Sequence, residues 1–231
     1  VDGIVSAAGG KLMSVTATAF QLPVWFDLAA TFAFALTGAL AAVKRGYDVV
    51  GLLSLAIVSG IGGGLIRDGI FLQQGVTPLL TNPHYLYVIG VAALLGLVLG
   101  ERVNRFQRLI ALVDALGLGA YACFGVQKSL SAGLGPTAAV FVGVVNAVGG
   151  GILRDLLTRE EPLVFKPGQF YVLVALAGAV LFVVLTVQTE LDATMAAIIA
   201  IAVTFIFRVL TIAFNWRTGA VAPVKTVARL D

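Results

Sequence analysis

The stretch Gly62-Gly63-Gly64-Leu65-Ile66-Arg67-Asp68 returns as Gly149-Gly150-Gly151-Ile152-Leu153-Arg154-Asp155, 87 residues further on. The same offset, without gaps, carries Asp27 onto Asp114, Ala33 onto Ala120, Ala35 onto Ala122, Gly38 onto Gly125 and Gly46 onto Gly133. Polar and glycine landmarks held in register over such a length mark a duplication, not the chance likeness of apolar segments. Each copy contains three apolar stretches. If each stretch crosses a membrane, an odd number of crossings turns the second copy upside down relative to the first.

Composition says that the stretches do cross. Of 231 residues, 59% are hydrophobic and 12% charged, with a mean hydropathy of +1.02; soluble domains carry about a quarter charged residues. A chain this apolar cannot cover its own surface with polar groups, which excludes a soluble globular enzyme. Seven apolar segments recur, over residues 24–43, 49–66, 85–100, 109–130, 137–153, 170–187 and 193–214, each near the length that spans a bilayer. Charged and turn-forming residues separate them. The ten-residue alternation of an outer-membrane barrel is missing. The expected fold is an all-α polytopic membrane protein of seven transmembrane helices, a 3+3 inverted repeat plus a seventh helix. Its units are an N-terminal extracytoplasmic segment over 1–23, repeats over 24–107 and 108–190, the seventh helix over 191–214 and a cytoplasmic tail over 215–231.

Residues 1–22 are mixed in polarity and lack the basic-then-apolar order of a signal sequence. Lys44, Arg45, Arg102, Arg105, Arg108, Arg159, Lys166, Arg217, Lys225 and Arg229 fall on one side of a seven-span topology, whereas the other holds Lys11 and, near span ends, Arg67 and Lys128. Positive charge gathers on the cytoplasmic side of membrane proteins, so the C-terminus is expected in the cytoplasm and the N-terminus outside. This bias accounts for the net charge of +3 without nucleic acid as a partner. One cysteine, Cys123, excludes an intramolecular disulfide or a thiolate cluster, and one histidine, His84, leaves no paired-His relay. No cofactor and no metal beyond transient potassium or sodium is expected. His84 reads as interfacial, beside Tyr85 and Tyr87 in an aromatic belt. Gly117-Leu118-Gly119-Ala120-Tyr121-Ala122 imitates a dinucleotide fingerprint, but it lies inside an apolar span. The triplet motif also lacks the Lys-Ser/Thr ending of a phosphate-binding loop.

The chemistry that remains is intramembrane and charged. Three consecutive glycines weaken a helix by roughly 1 kcal/mol each relative to alanine. Gly62, Gly63, Gly64 and Gly149, Gly150, Gly151 are therefore candidate kinks whose freed carbonyls suit a monovalent cation. The alternative is close packing, since Gly60 with Gly64 and Ala147 with Gly151 are small-xxx-small pairs. Ser59 and Asn146 occupy matching positions before the triplets and can offer oxygens to an ion or bridge helices. Asp68 and Asp155 are candidate ion-guiding groups. Neighbours along a helix do not face each other, so Arg67 and Arg154 are expected to pair with carboxylates elsewhere, with Asp27 and Asp114 as candidates. A structural ion-pair lattice is the alternative. Lys128 reads by default as a helix-end lysine reaching for headgroups, or else as a gate. Arg208, inside the seventh span, is a further charge in need of a partner.

Two copies of this Gly-Gly-Gly…Arg-Asp motif in a seven-span chain resemble the prokaryotic trimeric intracellular cation (TRIC) channel family, some bacterial members of which are called glycine transporters. The resemblance covers residues 24–214. It implies a homotrimer in membrane lipid with one pore inside each subunit. It further implies permeation by monovalent cations, potassium modestly over sodium, through glycine kinks in the second and fifth helices. Animal members carry a basic cluster on the fourth helix that serves voltage or lipid control. Here only Lys128 stands on that span, so those properties are not carried over. A potassium-permeable channel is the leading reading. A secondary transporter of a small zwitterion such as glycine is the second, and a membrane scaffold the third.

Overall fold

The computed structural model describes residues 22–73, 75–100, 107–166, 170–189 and 191–216. The expected segment over 1–21, the tail beyond 216, and Arg102, Arg105 and Glu190 lie outside the described residues. Among the described residues seven long helices occur: α1 (Trp25–Lys44), α2 (Val49–Ile66), α3 (His84–Leu99), α4 (Gln107–Ser131), α5 (Pro136–Leu157), α6 (Tyr171–Val187) and α7 (Ala193–Ala213). No strand occurs among the described residues. A wider-wound π turn, Arg67–Leu72, extends α2, and one short turn of helix, Pro78–Thr81, precedes α3.

Local chemistry sets these boundaries. The Asp48 side chain accepts from the Gly51 amide at 2.8 Å and caps α2, as Asp192 caps α7 through Thr194 and Met195. Pro136 opens α5 at a position where its missing N–H costs nothing. The turns after α1 and α4 close on Gly46 (φ 70°) and Gly133 (φ 86°), a left-handed backbone that only glycine adopts freely. These two glycines are repeat mates, so the duplication is written into the turns as well as the motifs.

Five helical stretches are long and apolar enough to cross a membrane, whereas α3 and α6 have 16 and 17 residues. At 1.5 Å per residue they reach only about 24–26 Å, against a hydrocarbon thickness of about 30 Å. Both short helices stand third in their repeat. The expectation of seven spans is thus refined to five full-length ones and two short ones.

Within the first repeat α1 packs on α2 and α3, and within the second α4 packs on α5 and α6. The repeats join where α2 meets α5 and α1 meets α4, while α7 lies outside against α4 and α6. Buried apolar residues form two clusters. One, around Ala35, Leu36, Leu55 and Ile89, belongs to the first repeat. The larger, around Phe34, Tyr121, Val174 and Phe182, holds the second repeat and α7. Outward faces carry Leu86, Val91, Leu94 and Val98 on α3, and Met195, Ile198, Val203 and Ile206 on α7, all exposed. An apolar exterior around a partly polar interior is the distribution that lipid favours.

Candidate functional site

The triplets meet each other. A Cβ built on Gly63 would strike the Asn146 carbonyl oxygen, and one on Gly150 would strike the Ser59 carbonyl oxygen. One on Gly149 would lie 3.1 Å from Gly63 Cα. The two helices therefore cross backbone to backbone at the triplets, as small residues permit. Both triplets keep α-helical winding. The loosened backbone expected at Gly62–Gly64 lies just beyond them, in the π turn that begins at Arg67. In α5 the corresponding residues remain α-helical to Leu157. Glycine is needed here for approach, and packing against the partner helix outweighs its weak helix propensity.

Two charged clusters lie at opposite ends of this crossing. At the end formed by the start of α1 and the finish of α2, Arg67 is 2% exposed and grips its neighbour Asp68, Nε to Oδ1 at 2.7 Å and Nη2 to Oδ2 at 3.0 Å. Arg67 Nη1 also lies 3.6 Å from Asp27 Oδ1 and 3.4 Å from Asn146 Oδ1, with its guanidinium 5.2 Å from the centre of the Phe124 ring. Lys128 Nζ donates to both oxygens of Asp68 at 2.8 Å. Tyr85 donates to Asp27 Oδ2. At the other end Arg154 Nε donates to Asp155 at 2.9 Å, and Nη1 to Asp114 at 3.3 Å and to Thr37 Oγ1 at 2.9 Å. Arg208 lies over the Tyr171 ring at 5.1 Å and lines the same cavity as Asp114 and Arg154.

Several expectations change. Asp27 and Asp114 do face Arg67 and Arg154, each within its own repeat. Each Arg also holds the Asp beside it. A long guanidinium folds back along its own helix where the shorter pairs behind the neighbour rule do not reach. Lys128 does not extend to headgroups: a buried carboxylate, already on Arg67, holds it inward. Tyr85 is not a belt residue. It is 4% exposed and bound to Asp27, whereas Tyr87 is exposed and His84 bonds Asn82. Ser59 and Asn146 diverge as well. Asn146 Nδ2 donates to the Tyr121 carbonyl at 2.7 Å, bridging α5 to α4, while Ser59 Oγ is buried without a hydrogen-bond partner.

Sequence reading missed a central polar step. Thr31 Oγ1 lies 2.8 Å from Tyr121 Oη, and Tyr121 donates to the Gly60 carbonyl. It also missed Tyr171, which sits at the start of α6 as Tyr85 sits near the start of α3. These tyrosines are 86 residues apart, so an 87-residue register slips past them by one.

Each cluster borders a cavity. The first is narrow, about 20 Å³, and is lined by Asp27, Thr31, Arg67, Asp68, Thr77, Tyr85 and Tyr121 among others. The second, about 300 Å³, is walled by Thr37, Asp114, Arg154, Asp155, Arg208 and a rim of Lys44, Arg45, Glu160 and Lys166. α1 passes both. Asp27 to Thr37 is ten residues, a rise of about 15 Å.

The sequence profile described as glycine transporter matches residues 24–101 and 111–187, one stretch in each repeat. A membrane protein of Deinococcus radiodurans is 41% identical over 158 residues, 67% of this chain and 72% of the relative. The Escherichia coli inner membrane protein YadS is 32% identical over 196 residues, 84% of this chain and 94% of its own. The TRIC channel orthologue of Rhodobacter sphaeroides superposes with a TM-score of 0.74 at 32% identity, covering 83% of this chain and 97% of that one. A second structure, described as a TRIC cation channel, gives 0.77 at 28% identity, with 89% and 100% covered. The chain belongs to the TRIC family. It is a polytopic membrane protein, and the solved TRIC structures that it resembles are channels, not enzymes.

Proposed function

We propose that this TRIC protein is a potassium-permeable monovalent cation channel. Its pathway runs inside each subunit of a homotrimer, past α2 and α5, with the N-terminus outside the inner membrane and the C-terminus in the cytoplasm. The observation that carries the reading is the pair of charged cavities at opposite ends of the triplet crossing. Polar space enters the protein from both sides and narrows where glycine backbones touch. In the described arrangement the crossing is shut, and conduction requires α2 and α5 to part or slide. Carboxylates Asp68 and Asp155 stand at the two approaches, each neutralised by its own arginine, so ions meet a polar pathway without a large fixed charge of either sign. The basic rim at Lys44, Arg45 and Lys166 supports the cytoplasmic assignment of the wider cavity. The three-helix units over 24–107 and 108–190 act as the two halves of the pathway, and α7 as an outer buttress.

Shut contact between two one-sided cavities also suits a carrier of a small zwitterion such as glycine. One assay separates the readings. Purified protein in liposomes is given a potassium gradient read by a voltage-sensitive dye, and labelled glycine in parallel. Fast polarisation that follows potassium without glycine accumulation is expected. Saturable glycine uptake with little ionic leak would overturn the channel reading.

A further inference from the structure

We infer that the narrow cavity at the Asp27 end binds one dehydrated monovalent cation between Asp27 Oδ1 and Thr77 Oγ1. The inference deepens the channel reading and rests on it for its role in permeation. Among the described residues, four buried side-chain oxygens lack a hydrogen-bond partner, and two of them, Asp27 Oδ1 and Thr77 Oγ1, line this one cavity. Leaving such atoms dry is costly, so each pair of this kind points to an occupant. The volume of about 20 Å³ admits one particle the size of a water and no hydration shell.

An unsatisfied carboxylate oxygen favours an ion as that particle. Arg67 and Lys128 both place their short contacts on Asp68, at 2.7–3.0 Å. Asp27 is 3% exposed and, among the described residues, accepts the neutral Tyr85 hydroxyl on Oδ2, with Arg67 Nη1 at 3.6 Å from Oδ1. The four charges balance, and Asp27 Oδ1 is the carboxylate oxygen that they leave without a hydrogen bond beside the cavity, which Arg67 also lines. A carboxylate oxygen and a hydroxyl oxygen are hard donors suited to potassium or sodium. Among the described residues the second repeat shows no such site. The position 87 residues after Thr77 is Val164, and Asp114 opens on a cavity of about 300 Å³ with Arg154 at 3.3 Å. Ions would thus stay hydrated in the wide cavity and shed water on the Asp27 side alone, which places cation discrimination in the first repeat.

The test uses thallium as the probe on the full chain. Crystals soaked in thallium should show anomalous density between Asp27 and Thr77, retained in Thr77→Ser and lost in Thr77→Val and Asp27→Asn. In liposomes, Thr77→Val should raise the potassium concentration for half-maximal flux about tenfold, the worth of one oxygen contact to a charge. Thr77 sits beyond the long helices, so its variants spare the bundle if Asp27→Asn does not fold. A wild-type cavity that holds only an ordered water, or density and flux indifferent to Thr77→Val, would overturn the site. If the wild-type protein binds thallium there but passes no cation, the ion site stands and the channel reading fails instead.

Discussion

Replacing Gly63 with alanine adds one methyl group at the point where α2 and α5 touch. That methyl would be built on the Asn146 carbonyl oxygen, a backbone atom that cannot rotate away, and the same holds for Gly150 against the Ser59 carbonyl. Overpacking a fitted contact costs about 1–3 kcal/mol, and alanine returns up to about 1 kcal/mol in helix propensity. The net expectation is a loss of about 1–2 kcal/mol for either variant. At 2–4 °C per kcal/mol for a chain of this size, the melting temperature falls by about 2–8 °C. Gly64 supplies the internal control, because its added Cβ meets only Arg67 Nη2 at 3.6 Å. Gly64→Ala gains propensity without the clash and should melt level with the wild type or slightly above it. Gly63→Ala combined with Gly150→Ala should cost less than the sum of the two, since both are relieved by one separation of the same helices. The assay is thermal unfolding in detergent, with oligomeric state checked by chromatography. A Gly63→Ala protein as stable as wild type, or losses that add, would refute the crossing as a close backbone contact.

Other perturbations probe the charged clusters. Asp114→Asn removes a partner of the buried Arg154 and should cost about 3–5 kcal/mol, read by unfolding; a melt level with the wild type would show that Asp155 and Thr37 suffice to hold Arg154. Lys128→Gln leaves Asp68 on Arg67 alone, and so should raise cation flux in the liposome assay with little change in fold; unaltered flux would remove Lys128 from the pathway. Tyr85→Phe takes away the Tyr85 hydrogen bond to Asp27 Oδ2 and should lower stability by about 1–3 kcal/mol, whereas Tyr87→Phe on the exposed face should be silent.

Legibility in the sequence followed periodicity and symmetry. Membrane character, helix order and the inverted repeat are collective properties, repeated over many residues, and the structure agrees with them almost helix for helix. The turn glycines Gly46 and Gly133 and the mates Asp27 and Asp114 were readable because a fixed offset finds paired landmarks without any knowledge of contacts. Side-chain destinations were not readable in that way. Nothing in Lys128 itself says that it bends inward to Asp68, since the same residue at a helix end elsewhere reaches for headgroups. Tyr85 and Tyr171 escaped because one residue of slippage between repeats hides them from a strict register, and because tyrosine at a helix start is so often interfacial. The triplets were ambiguous for a physical reason: glycine both weakens a helix and lets another approach, and only the position of Asn146 and Ser59 against Gly63 and Gly150 decides between these uses.

The departures from symmetry carry the remaining lesson. Two copies of one three-helix unit would give two equal cavities, yet one is about 20 Å³ and the other about 300 Å³. Two local differences accompany the narrowing. α2 ends in a π turn where α5 stays regular, and Lys128 spans to Asp68 where its repeat mate is Ala41. On the wide side, among the described residues, Asp155 accepts from its own Arg154 and from the Leu163 amide at 3.3 Å, and the rim is held by the Arg45–Glu160 pair near the surface. An exposed pair of that kind is worth little, so the wide mouth is the easier one to rearrange. The duplicated backbone thus supplies two opposed cavities, and a local change of winding with an unduplicated lysine accompanies the tighter one.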